Sequence, residues 1–363
     1  MAPLLLLTLA CTSTPAATPT APAATTAAAT STAAQPTGAQ PTGAQPTGAV
    51  PTDAVPTDAV PTDAQPTDAV PTDAVPTEPT TGTGGTLRIY CCATDPRSLR
   101  PQAASGSDEI SILGGIQRGL LYYNQDLSLR PELATDMPTL SDDGLTYTFT
   151  LGDHNYSNGT PIVAADYVRA VRALADPRNA FDYGYEACWI EGVDAVLGTD
   201  FGCSEGDTPY ADAELGTFDG PTIEGLLDGI GVTAPDDHTV VYKLKTATSF
   251  FTNLIAMWLF TPVPETQTSW ADAADIVSSG PFMIESWSHQ AQMVLVPNPE
   301  YTVATPALER IEIGIGGDPA AAVAAFERGD LDIVGVPSSD VRRILADTNL
   351  QPLINRGPTL SIS

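Results

Sequence analysis

A five-residue unit recurs through the N-terminal part of the chain, as QPTGA from Gln35, as VPTDA from Val50 and once as QPTDA at Gln65. This period matches neither the helical repeat of about 3.6 residues nor the two-residue alternation of a strand. A proline in every unit removes a backbone donor and fixes φ at about −65°. The flanking residues 12–30 are Ala, Thr, Pro and Ser, too little apolar mass to offset the entropy of ordering. Residues 12–85 therefore read as a disordered linker biased toward polyproline II, with a reach of roughly 230 Å at about 3.1 Å per residue. Whatever core the chain builds must come from residues 86–363.

Charge narrows the partners. The 363 residues carry 44 Asp and Glu against 15 Lys and Arg, a net charge of −29. Six of the acids and none of the bases lie in residues 1–85, so the C-terminal part is acidic in its own right. That balance argues against nucleic acid, whose binding needs a basic footprint, and against attachment to anionic lipid by basic residues. It predicts a soluble monomer. No apolar run approaches the roughly 20 residues of a membrane-spanning helix.

Residues 1–11, MAPLLLLTLAC, have the layout of a secretory signal: a short apolar run at 4–10, then the small Ala10 before Cys11. A cysteine directly after a small residue resembles the bacterial lipobox, which implies acylation of Cys11. The expected location is extracytoplasmic, held to the cell membrane only through that lipid.

Beyond the linker, strand and helix patterns alternate. Residues 86–91 (TLRIYC), 145–151 (LTYTFTL), 238–245, 291–296, 310–315 and 331–334 read as strands. A helix is expected over 108–118 with Ser107 as its cap. Another is opened by Thr160-Pro161, with Ala164, Tyr167, Val168, Val171 and Leu174 on one stripe and Pro177 as its stop. A third starts at Asp318-Pro319 and ends at Gly329, and a last one is capped by Ser338 or Ser339. The sum is mixed α/β.

Several motifs are weak. Gly202-Cys203-Ser204-Glu205-Gly206 fits G-x-S-x-G but lies in a Gly- and acid-rich loop rather than a strand-to-helix turn. The three histidines, His154, His238 and His289, form no zinc spacing. Residues 153–159 (DHNYSNG) hint at a calcium loop, but the glycine falls one place late and no Glu closes the frame; a plain turn is expected. Residues 314–317 (GIGG) end a strand and are no dinucleotide fingerprint. No metal and no cofactor are expected.

Five cysteines become four once Cys11 is acylated, an even number for an oxidising compartment. Cys188 and Cys203 flank one loop and are expected to pair. Cys91 and Cys92 are adjacent on a strand and should point to opposite faces, one thiol buried and one at the surface; a strained bond between them, or a redox role, is the lesser alternative.

Several longer blocks occur in a telling order: GLL at 119–121, DLSLRPELA at 126–134, DGLTYTFTL at 143–151, YSNGTPIVAAD at 156–166, GVTAPDDHTVVYKL at 231–244, SGPF at 279–282, NPEY at 298–301 and GDLDI at 329–333. Their joint order and spacing resemble the family 5 extracellular solute-binding proteins, the peptide receptors of ABC importers. Gly152 stands where that family usually carries Arg, and Tyr156 where it carries Phe.

The resemblance implies a periplasmic-binding-protein-like venus-flytrap of class II, cluster C, with a mixed sheet and flanking helices. It has no catalytic residues; the energy lies in closing over an extended ligand. Residues 86–363 would form the first lobe, with a nested subdomain at about 106–225 and the second lobe missing, and the strand-like TLSI at 359–362 would begin the crossing between lobes. The implied ligand-binding residues are Cys92, Ala93, Thr94 and Asp95 after the first strand, with Met257, Trp258 and Phe260 as a second wall. Core packing is the other reading of Trp258 and Phe260. The implied partners are a peptide or small oligomeric solute and the permease subunits of an importer; peptide, nickel chelate, haem and sugar stay open as ligands. Two other classes remain: a cell-surface structural or adhesive module, and a secreted serine hydrolase using Ser204.

Overall fold

Apolar and polar residues alternate in several short runs, and these runs become strands that sort into two four-stranded sheets. The computed structural model describes residues 84–124, 126–198, 202–203 and 220–354. The chain enters through β1 (Thr86–Cys92) and α1 (Ser107–Ile116), then forms the small hairpin β2 (Leu121–Tyr123) and β3 (Leu129–Pro131). Strands β4 (Thr139–Leu140) and β5 (Thr146–Thr150) precede helices α2 (Ala164–Ala175), α3 (Val193–Leu197) and α4 (Gly220–Asp228). Next come β6 (Val232–Asp236), β7 (Thr239–Lys243) and α5 (Phe251–Ile255). The hairpin β8 (Phe282–Ser288) and β9 (Gln292–Pro297) leads to β10 (Arg310–Ile315), α6 (Pro319–Arg328) and α7 (Val341–Ala346).

The first sheet, in the order β4-β5-β7-β6, is antiparallel. Strict alternation in β5 turns Tyr147 and Phe149 inward, opposite Tyr242 and Val240 of β7. Phe251 of α5 lies 5.0 Å from the Tyr147 ring and 5.6 Å from that of Tyr242. Helix α2 covers this aromatic layer with Ala164, Tyr167, Val171 and Leu174. Burying such side chains is worth about 1.5–3 kcal/mol each.

The second sheet, β1-β10-β9-β8, is mixed: β1 runs parallel to β10 and the other pairs are antiparallel. Ile311, Ile313 and Ile315 alternate inward, joined by Met293, Leu295 and Phe282, and α1 covers them with Ile112, Leu113 and Ile116. On its other side β1 carries residues 332–333: Asp332 forms a fork with the Arg88 guanidinium (3.0 and 3.1 Å), and Ile333 bridges Ile89.

Local chemistry moves several expected boundaries. Ser107 lies inside α1; the start of that helix is closed by the Glu109 carboxylate, which accepts from the backbone N–H of Gly106 at 2.8 Å and Ser105 at 3.0 Å. The helix ends at Ile116, before Arg118. Thr160-Pro161 does not open α2. Thr160 is tied to the Asn158 side chain, Pro161 bridges Asn155, and the helix starts at Ala164, where Asp166 accepts from Val163 N–H at 3.2 Å. An acid three residues into a helix can replace a hydroxyl cap. Residues 331–334 form no strand beyond the single bridge at Ile333. Helix α7 starts after Asp340 rather than Ser338 or Ser339. Helix α6 matches its signals, with Asp318 capping Ala320 N–H and Gly329 closing it at φ +83°. Residues 359–362 lie outside the described residues. No helix among the described residues is long and apolar enough to cross a membrane.

Candidate functional site

Strand β1 loses its regular pairing as it ends. The register with β10 shifts between Tyr90 and Cys92, which interrupts the alternation that would send adjacent side chains to opposite faces. The two sulfurs of Cys91 and Cys92 are joined as a disulfide, which corrects the expectation of one buried and one surface thiol. Their sulfurs and a carboxylate oxygen of Asp108 lie within 4.8 Å of one another. As a disulfide the sulfurs are not thiolate ligands. Cys92 is buried, and its carbonyl accepts from Gly316 N–H at 2.8 Å.

Past this anchor the chain comes to the surface. Ala93 and Thr94 are exposed. Asp95 turns back onto the β8–β9 turn, where its carboxylate accepts from Gln290 N–H (3.0 Å), the Gln290 side chain (3.1 Å) and Trp287 Nε1 (3.2 Å), and meets His289 Nδ1 at 3.1 Å. Burial pushes the Asp95 carboxyl up, but the bonds from Gln290, Trp287 and His289 outweigh it and hold the group below its usual range. Asp95 is therefore a fastener, and the free surface of this segment belongs to Ala93 and Thr94.

The same segment is held at its other end. The Arg97 guanidinium donates to Ser105 Oγ at 2.7 Å, and Ala104 O accepts from Trp258 Nε1 at 3.1 Å. Trp258 is half-buried against both cores and lies edge-on to Tyr183 at 5.4 Å. Met257 is half-buried beside it. Phe260 is not a wall: it is 1 % exposed and belongs to the aromatic core, because the short turn Trp258–Phe260 directs its ring inward. Residues 93–105 thus connect the two expected walls. The partners Trp287, His289 and Gln290 were not legible beforehand, since nothing in a single hairpin turn announces a carboxylate 195 positions away.

The sequence blocks also have places. Ser279 Oγ accepts from Arg118 N–H and faces Gln117 Oε1, both at 2.9 Å. A Cβ on Gly280 would stand 2.8 Å from the Ile116 carbonyl carbon, so this crossing requires glycine. Glu132 is buried with Arg118 at 3.1 Å and is also met by Arg130 and the Tyr301 hydroxyl. SGPF, the PELA block and NPEY therefore fasten the seam between the sheets. Residues 153–159 wrap the buried Tyr156, whose hydroxyl donates to Asp166 at 2.9 Å; they form a turn. His154 meets Thr302 at 3.1 Å. Cys188 and Cys203 are joined, with Cα atoms 5.5 Å apart. Ser204 and the rest of its loop lie outside the described residues.

Two sheets with covering helices, the mixed one ending in a surface segment pinned at both ends, define the architecture of a periplasmic solute-binding protein. Comparison with known proteins agrees. The model of the bacterial extracellular solute-binding proteins, family 5 Middle, matches residues 128–363, and the chain belongs to this family. It is 29% identical over 252 residues to the oligopeptide-binding protein OppA of Bacillus subtilis, covering 67% of this chain and 42% of that protein. It is 27% identical over 262 residues to the periplasmic murein peptide-binding protein MppA of Escherichia coli, covering 70% and 44%. The solved structure of the Escherichia coli murein tripeptide-binding protein MppA superposes with a TM-score of 0.59 at 25% identity, covering 73% of this chain and 48% of that one. The chain spans somewhat less than half the length of these relatives.

Proposed function

We propose that this protein is the solute-capturing component of an ABC-type importer, that its cargo is a peptide or a related small oligomer, and that the cargo's main chain lies along Ala93 and Thr94 with Met257 and Trp258 beside it. Family membership supports the class, and two relatives are named for the peptides they bind. The observation that carries the site is the surfacing of Ala93 and Thr94 between two anchors, the Cys92 carbonyl and the Asp95 carboxylate. Pinning a short segment at both ends spends its entropy before the ligand arrives. Backbone groups there can pair with a peptide as one strand pairs with another, largely independent of the peptide's side chains. No bond is made or broken.

The long N-terminal linker fits a receptor tethered at the cell surface through an acylated Cys11 and handing its cargo to permease subunits. Fatty-acid labelling that persists in Cys11→Ser would remove the anchor from this scheme.

The binding test is hydrogen exchange on the full chain with mixed tri- to pentapeptides at millimolar concentration. Protection is expected at 93–98 and around 257–258, together with its loss in Thr94→Trp, where the ring fills the peptide's place. Unchanged exchange at both segments would overturn the site.

A further inference from the structure

Arg100 lies just past the candidate ligand segment. Its guanidinium is stacked between two rings, 4.8 Å from the centre of Phe181 and 5.0 Å from that of Trp270. Its Nε is buried and has no hydrogen-bond partner. Burial pushes the guanidinium below its ordinary value, and the attraction of Asp176 only opposes this. A desolvated fork with an unused donor is costly unless something accepts from it.

The same residue lines a cavity of about 420 Å³ together with Arg169, Arg172 and Arg178. Four of the 15 basic residues of a strongly acidic chain thus converge on one space, against the carboxylates of Asp176 and Glu224. Those carboxylates hold the rim in place. Glu224 spans Arg172 at 3.3 Å and Arg178 at 2.5 Å, Asp176 binds Arg178 at 2.7 Å, Arg172 is also met by Asp228 at 2.6 Å, and Arg169 is held by Asp166 at 2.7 Å with Glu265 at 3.9 Å. Three guanidinium groups are thereby fixed around the opening while the fourth is short of an acceptor. None of the residues assigned to the peptide face lines this cavity.

We propose that this cavity is a second binding site, separate from the peptide face, which takes a tetrahedral dianion (inorganic phosphate or the head of a phosphomonoester) with Arg100 as its anchoring fork. Arginine forks match oxyanions through paired N–H···O bonds. A carboxylate offers two oxygens, which one fork can saturate. A phosphoryl group offers more oxygens and a second negative charge, so it can serve Arg100 and the rim arginines together. The rings of Phe181 and Trp270 lie against the fork and leave it half-buried, and this partial desolvation strengthens its pull on an anion. The site stands whether or not the peptide reading holds.

The test is calorimetric titration of the full chain with sodium phosphate, with glycerol phosphate and with acetate, at one ionic strength. Phosphate or its ester is expected to bind with a dissociation constant of about 1 mM or tighter, and acetate at least about tenfold more weakly. Tighter binding of the ester identifies a phosphomonoester as the ligand; equal binding identifies free phosphate. Arg100→Gln is expected to weaken binding about ten- to a hundredfold, and Arg100→Lys, which keeps the charge and loses the fork, by less. Arg178→Gln at the half-exposed rim repeats the test in a variant whose folding does not depend on a buried stack. The proposal is overturned by any of three results: no heat with phosphate on the unaltered chain at ten times that concentration, equal affinity in Arg100→Gln and Arg178→Gln, or acetate binding as tightly as phosphate.

Discussion

The sheet β4-β5-β7-β6 and the sheet β1-β10-β9-β8 solve the same problem with different materials. The first is aromatic: Tyr147, Phe149, Tyr242 and Phe251 form one set of tilted and edge-on ring contacts under α2, and the Cys188–Cys203 bridge ties down a loop beside it. The second is aliphatic, and its closure is remote, since Arg88 of β1 meets Asp332 across 244 positions. Closing so long a loop adds little to the equilibrium cost, because that cost grows only logarithmically with length, but it slows assembly. The aromatic sheet is thus the scaffold. The aliphatic sheet, which carries the proposed peptide face at the end of β1, is joined to it through the Gly280 and Glu132 seam.

The contrast can be tested in order of expected effect. Phe149→Ala should cost about 3–5 kcal/mol in urea unfolding, because it empties the centre of the ring cluster; a loss below about 1 kcal/mol would remove the scaffold role. Cys188→Ser should cost about 3 kcal/mol for a closed loop of 15 residues, and hydrogen exchange should locate the loss in the aromatic half. Gly280→Ala should cost about 1–3 kcal/mol by driving a methyl into the Ile116 backbone. Exchange should then rise first in β8 and α1 while β5 and β7 stay protected, and a simultaneous rise would show one cooperative unit.

Asp95→Asn should have the smallest effect, about 1 kcal/mol at neutral pH. Its sign with pH is definite. The folded Asp95 carboxyl lies below its ordinary value, so its stabilisation is present in full above the normal carboxylate range and is lost as the pH falls through and below that range. The difference in melting temperature between the wild type and Asp95→Asn should therefore shrink toward pH 3. A constant difference would show that Asp95 acts through shape and not charge.

Much of the fold could be read from short patterns. The alternation in 145–151 and 310–315 marks β5 and β10, and the Asp318-Pro319 start and Gly329 stop bound α6, because period and capping depend on neighbouring residues alone. The structure departs from the local reading where a competing neighbour or a tertiary contact takes over an expected role. Glu109 displaced Ser107 as the cap of α1, Asn158 claimed Thr160, and a bulge against β10 turned Cys91 and Cys92 toward each other. For Phe260 the structure selects core packing over the cleft wall, a choice left open by sequence because an apolar residue before a turn carries no sign of which way its ring points.

The amino-acid order alone carried the α/β class and the family, since each is written in period or the order of motifs. The folded chain alone could assign the Cys91–Cys92 pairing, the hold of Asp95 on the β8–β9 turn and the convergence of Arg100, Arg169, Arg172 and Arg178 on one cavity. The hold of Asp95 and the gathering of Arg100 with the other three arginines depend on partners far along the sequence, and the cysteine pairing depends on a register shift against β10; all are set by packing.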